Sequence, residues 1–394
     1  MRAGRVQRNH IDLTTLVAVL MLMVLSLGVV YSASSTWAMA KYNESGKLLG
    51  NHAVKVLLGF LAIFVFMHID YKRYKKITKP ALLIAVALLA LTLGLGVVVK
   101  GAARWLRMGG FGLQPSEFAR FALLFHLCVL IAEKKEKMKD FKAGFVPAMV
   151  WVSLVTVLVL VQPNFSTGAM MFAVSLVMLF IGRVRFRHLA LTLAALLPLL
   201  VAYMFSAEYR MRRIMNFISG QGDAGGNGNY QLLQGILGFG NGGIFGVGPG
   251  QSRQRDLFLP ESYGDFVFSI VGEEYGLIGT LFIVGLFLVI MLRGIRIAKH
   301  APDDFGRSLA IGVTTSITLY ALVNAGVTLG ILPTTGLPMP FVSYGGSAML
   351  FSCMAIGVLL NISSQTDLHP RLVQTPEGVR AIEPKQAAAV GNIY

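Results

Sequence analysis

The sequence predicts an all-α polytopic membrane protein of about ten transmembrane helices, and three observations predict it. The 394 residues are 55% hydrophobic and only 14% charged, against roughly 45–50% apolar and about 25% charged in soluble domains. Apolar runs of about 20 residues, the length that crosses a hydrocarbon layer, recur along the chain. The basic residues that make the net charge +16 fall in short clusters between those runs, where they act as orientation signals rather than as a nucleic-acid surface. Cys128 and Cys353 both lie inside apolar runs, which argues against a disulfide framework or a zinc site.

The apolar windows fall at 11–32, 52–69, 80–99, 115–133, 144–161, 166–182, 188–206, 264–292, 308–332 and 344–363. The first, "IDLTTLVAVLMLMVLSLGVVYSAS", is too long for a signal-peptide core and has no A-x-A cleavage site, so it is expected to remain as the first helix. An even number of spans puts both termini on one side. The loops on that side hold 20 Lys and Arg, among them Arg2, Arg5, Arg8, "YKRYKK", "KKEKMKDFK" and "RVRFR", against ten on the other. The termini are therefore expected in the cytoplasm. The opposite face then carries the segments 33–51, 100–114 and 207–263. The last holds thirteen glycines between Gly220 and Gly250, as a flexible loop or as backbone that must approach something closely. Residues 1–365 read as one transmembrane domain, and 366–394, with no long apolar run, as a disordered cytoplasmic tail. No repeat stands out that would favour an inverted-repeat transporter.

Chemistry gathers in the longer segments. In "FLPESYGDFVFSIVGEEYG" Asp265 stands where a loop enters a helix, placed either to cap it or to act as a general base in a half-desolvated cleft. Glu273 and Glu274 follow within the span, and pairing with Lys or Arg from another span is the favoured reading. In "GAARWLRMGGFGLQPSEFARF", Arg104 and Arg107 flank Trp105, Pro115–Glu117 reads as a helix start, and Arg120 lies one turn beyond Glu117. Such guanidiniums suit a phosphate or pyrophosphate; interfacial anchoring, with an ion pair for Arg120, is the plainer alternative. In "LPTTGLPMPFVSYGGSAML" three prolines and Gly345-Gly346 forbid a continuous helix, and irregular backbone at membrane depth must be buried in protein or line a wet cavity. The run "GFGNGGIFGVGPG" lacks the Gly-Lys-Ser/Thr ending of a P-loop.

Taken in order, "VYSAS", "RWL", "QPSEFAR", "YQLLQGILGFGNGGIFGVGPGQS", "LPESYGDFVFSIVGEEYG" and "PTTGLPMPFVSYGGS" resemble the shape, elongation, division and sporulation (SEDS) family of bacterial cell-wall polymerases, over nearly the whole chain. "VYSAS" and "YGDFVFSIVGEE" look more like its division branch than its elongation branch. The resemblance implies a peptidoglycan glycosyltransferase in the cytoplasmic (inner) membrane, polymerising lipid II at the outer face and at the division septum. Its partners would be lipid II and the nascent glycan strand, a class B penicillin-binding protein that cross-links the product, and other division proteins. It places the catalytic base on Asp265 and the substrate- or pyrophosphate-binding residues on Arg104, Arg107, Glu117, Arg120, Glu261 and Tyr344. The chemistry admits a divalent cation, Mg or Mn, and calls for no other cofactor. A lipid II flippase and a non-catalytic division scaffold are the alternatives.

Three departures mark this chain. Many members of the family carry Glu-Pro-Asp-x-Gly-Thr where it has "QPNFSTG", so that Gln162 and Asn164 replace two carboxylates. Arg120 stands at a frequent lysine, which keeps the charge but changes its geometry. Tyr263-Gly264 stands where relatives have His-Thr, which removes a candidate proton relay.

Overall fold

The computed structural model describes residues 11–99, 102–108, 111–205, 211, 215, 227–259, 262–366, 371–375 and 378–382. The molecule is helical almost throughout: α1 (Leu13–Tyr42), α2 (Lys47–His68), α3 (Tyr74–Leu95), α4 (Pro115–Lys134), α5 (Val146–Val161), α6 (Phe165–Ile181), α7 (Phe186–Phe205), α8 (Asn227–Gly242), α9 (Val267–Lys299), α10 (Asp304–Thr328) and α11 (Ser347–Ser363). Among the described residues seven helices, α1–α5, α9 and α10, are long and apolar enough to cross a membrane. The other three windows hold the shorter apolar helices α6, α11 and the first part of α7. Helices α6 and α11, of 17 residues each, are about 26 Å long, short of a hydrocarbon layer of about 30 Å. Irregular backbone precedes each, the 162–164 turn before α6 and 329–346 before α11.

Helices α4 and α10 form the centre, with 78% and 67% of their apolar windows buried, against 28% for α3 and 33% for α2. Leu123, Leu127 and Cys128 of α4 meet Leu309, Val313 and Ile317 of α10, and Ile356, Leu359 and Leu360 of α11, in one continuous core. The peripheral helices turn side chains such as Leu57, Phe64 and Leu191 outward. Contiguous exposed apolar surface of this kind suits lipid tails as its solvent.

A polar clasp closes one face. Arg293 at the end of α9 donates to Asp12 before α1 through Nε (2.9 Å) and Nη2 (2.7 Å). The Asp12 amide donates to Ser363 Oγ at the end of α11 (3.0 Å), and the Tyr71 hydroxyl donates to Asp303 before α10 (2.8 Å). This face is a ruler. Leu13 to Ala33 along α1 and Asp304 to Asn324 along α10 each rise about 30 Å from it, the depth of the hydrocarbon.

At that height the segments expected as loops are mostly built. Helix α1 runs on to Tyr42 because Ser34 and Ala38 stay buried, with Ser262 donating to the Ala33 carbonyl (2.8 Å) and Trp37 against Tyr263 (5.4 Å). The strands β1 (Val97–Val99), β2 (Ala102–Met108) and β3 (Phe111–Leu113) pair in that order as an antiparallel sheet. A further hairpin, β4 (Arg371–Thr375) with β5 (Gly378–Ile382), lies in the stretch read as a disordered tail.

The glycine run serves close approach. Helix α9 breaks at Gly276 (φ 61°, ψ −158°), and the backbone freed there bonds to the glycine segment. Val247 and Gly248 amides donate to the Glu273 and Glu274 carbonyls (2.9 and 3.0 Å), and the Leu277 amide donates to the Gly243 carbonyl (2.9 Å). A Cβ on Gly246, at φ +84°, would collide with the Glu274 carbonyl. Gly246→Ala is therefore expected to destabilise by about 2–3 kcal/mol, read as the thermal midpoint of the solubilised protein. Gly240→Ala, in α8 with open space around it, should be neutral or stabilising.

Candidate active site

Asp265 lies half-buried in a turn just ahead of α9, whose N-cap position is taken by Phe266. Beneath the turn, Phe266 and Ile270 pack with Ala33, Leu259 and Val327. From α10, Asn324 Nδ2 donates to the Asp265 carbonyl (2.8 Å) and to the Leu337 carbonyl (2.7 Å), tying the turn to the 329–346 connection. Gly336, at φ +71°, passes so close that an added Cβ would sit 3.2 Å from Asp265 Oδ2. The carboxylate therefore stands on a pinned backbone, at the 30 Å level, against Gly336.

Glu117 and Arg120 are placed differently from the other arginines. Both are almost fully buried, 3% and 5% exposed, and pair at 2.9 Å within α4. The guanidinium lies over the Tyr320 ring (4.1 Å) and near Ser352 Oγ (3.4 Å). It borders a small cavity shared with Tyr320, Pro340, Ser343, Gly345 and Ser352. Arg104 instead donates from Nε to the Gln162 carbonyl (3.4 Å) and from Nη2 to the Pro163 carbonyl. The partners described for Arg104 and for Arg120 are thus different residues. Arg107 is described only as backbone in β2, and Glu261 lies outside the described residues.

The amide at 162 has its own use. Gln162, 1% exposed, donates from Nε2 to the Leu89 carbonyl (2.9 Å), a bond no carboxylate could make. Glu273 and Glu274 correct an expectation: the partners described for Glu273 lie between Asn241 and Gln254 and that of Glu274 is a serine on α1, not a basic residue on another span. Glu273 accepts from Ser252 Oγ, the Gln254 amide (3.2 Å) and Asn241 Nδ2 (3.3 Å). Glu274 accepts from Ser32 Oγ, which also lies 3.5 Å from Arg255. At the helix break these bonds are non-local, so residue spacing could not reveal them.

Tyr344 completes the described site. Its amide donates to the Tyr263 carbonyl (2.9 Å), and its ring meets Tyr263 edge to face (5.6 Å) and His52 (5.7 Å). The Lys55 ammonium sits 3.6 Å from the Tyr344 ring centroid, a contact the sequence reading missed. The available signal was His52 and Lys55, three residues apart where the apolar run of α2 begins. Among the described residues no group of three or more His, Cys, Asp or Glu side chains could hold a metal ion. A magnesium bound mainly through substrate phosphates needs only one or two carboxylates, and the described residues offer Asp265 at this turn.

Comparison with known proteins agrees with this architecture. The family model described as cell cycle protein, for FtsW, RodA and SpoVE, matches residues 13–368. A Geobacter metallireducens protein named probable peptidoglycan glycosyltransferase FtsW is 40% identical over 356 residues, 90% of this chain and 95% of that protein. Stage V sporulation protein E of Bacillus subtilis is 38% identical over 354 residues, 89% of this chain and 96% of that protein. Among solved structures, a chain from a peptidoglycan synthase complex coordinating polymerization and crosslinking superposes with a TM-score of 0.75 at 25% identity, covering 90% of this chain and 98% of that one. Rod shape determining protein RodA of Thermus thermophilus, at 24% identity and a TM-score of 0.67 over 90% of this chain and 97% of its own, shares the fold. The chain belongs to the FtsW/RodA/SpoVE family of polytopic membrane proteins.

Proposed function

We propose that this chain is a peptidoglycan glycosyltransferase that polymerises lipid II at the outer face of the cytoplasmic membrane during cell division, with Asp265 as general base. The observation that carries the reading is the position of Asp265, a half-buried carboxylate on a pinned turn at the 30 Å level, in a chain 40% identical to a named glycosyltransferase. The clasped face holds the more basic loops, so it faces the cytoplasm and Asp265 faces out.

The reaction joins the C4 hydroxyl of one disaccharide to the anomeric carbon of another, whose lipid pyrophosphate leaves. Asp265 takes the hydroxyl proton as the new C–O bond forms, and attack opposite the leaving group inverts the anomeric centre. Positive charge must meet the departing pyrophosphate. Arg104, Arg107 and Arg120 are assigned that role, with Glu117 orienting Arg120 and with Glu261 and Tyr344 as sugar or phosphate contacts. A divalent cation, when bound, would add neutralising charge, and no step depends on it. Lipid-anchored sugars ride at the headgroup level, which is why the base stands there. A class B penicillin-binding protein and other division proteins are the proposed partners, at the septum.

The test is reconstitution with a class B penicillin-binding protein whose transpeptidase site is blocked. Added lipid II should become glycan strands, and a well-folded complex that makes none would overturn the reading.

A further inference from the structure

Every buried acid–base pair described above closes on itself: Asp12 with Arg293, and Glu117 with Arg120. Lys55 breaks the pattern. It lies two turns into α2, half-buried and facing protein rather than lipid, yet among the described residues no carboxylate lies within ion-pair distance of it. Ionisable groups inside membrane helices are costly and are found paired or in functional sites. The face of Tyr344 at 3.6 Å attracts the ammonium, but a ring quadrupole supplies no counter-charge and leaves its N–H donors for another acceptor.

The surroundings say what that acceptor is. Lys55 abuts the 344–346 turn, where a Cβ on Gly346 would lie 3.6 Å from its Cε. Tyr344 hydrogen-bonds to Tyr263, two residues from Asp265. On the other side of the same turn Gly345 borders the Arg120 cavity. Two glycines thus leave the turn without side chains between Lys55 and an approaching anion. Of the arginines proposed for the pyrophosphate whose side chains are described, Arg120 pairs with Glu117 and Arg104 donates to two backbone carbonyls, so Lys55 would add a cation to theirs. We propose that Lys55 is a positioning residue that binds the pyrophosphate of the lipid-linked substrate beside Tyr344. This rests on the function proposed above and adds a residue to it.

The experiment measures binding of a polyprenyl pyrophosphate, and of the matching monophosphate, to the full chain in nanodiscs. It uses an Asp265→Asn background, so the result does not depend on which group is the base. Lys55→Met should weaken pyrophosphate binding by about 10- to 100-fold, affect the monophosphate less, and leave the thermal midpoint unchanged. Lys55→Arg should recover binding to within a few-fold. Unchanged pyrophosphate binding in Lys55→Met would overturn the proposal. So would a midpoint that falls together with binding, with Lys55→Arg restoring both, since that pattern marks a structural cation. Absence of binding even with Lys55 present would instead remove the functional reading beneath it.

Discussion

Replacing Glu117 by glutamine is expected to destabilise the protein by about 3–5 kcal/mol, because it leaves the Arg120 charge buried without its partner. The two side chains are 3% and 5% exposed and 2.9 Å apart. The Tyr320 and Phe121 rings beside the guanidinium offer only partial compensation for the lost carboxylate. The pair itself need not be stabilising, since desolvating both ions offsets most of their attraction. Glu117→Met with Arg120→Met should therefore recover most of the loss, although the double variant would lose whatever Arg120 contributes through its cavity. Thermal midpoints of the solubilised single and double variants check this. A Glu117→Gln midpoint equal to wild type would mean that Arg120 finds another counter-charge.

The helices were legible because an apolar run of membrane length has few other structures to adopt. All ten windows hold helices, and errors lie at their ends, where packing decides. Helix α1 continues ten residues beyond its window because small side chains such as Ser34 and Ala38 fit beneath the 262–266 turn. The strands β1–β3 were not legible: they are short, and their pairing is local backbone geometry. Helix α8 was hidden by its glycines, which are poor helix formers tolerated where packing requires no side chain, as at Gly235 and Gly242 against α9. In the candidate site, the ordered motifs picked out Asp265, Tyr344 and the Glu117–Arg120 turn. What composition could not show was which charges neutralise one another. Arg120 reads from sequence either as a phosphate ligand or as the partner of Glu117, and only the fold shows that this pair is buried, while Lys55, in an apolar helix that also holds Lys47, belongs to none of the motifs.

The central claim is that Asp265 accepts the proton of the attacking hydroxyl. Asp265→Asn keeps the shape of the side chain and removes its basicity. The fold should survive, because Asn324 holds the turn through the Asp265 carbonyl rather than through the carboxylate. A placed general base contributes about 10² to 10⁴ in rate, equivalent to roughly 3–5 kcal/mol of barrier. Asp265→Glu, which keeps the charge but shifts it by a methylene, should fall between. The direct measurement is the rate of glycan strand formation from lipid II by wild type and Asp265→Asn, each purified with its penicillin-binding partner and each checked for lipid II binding. The account predicts equal binding and a rate lower by about 10² to 10⁴ in the variant. Equal rates from two well-folded complexes would contradict it and move the base to another residue.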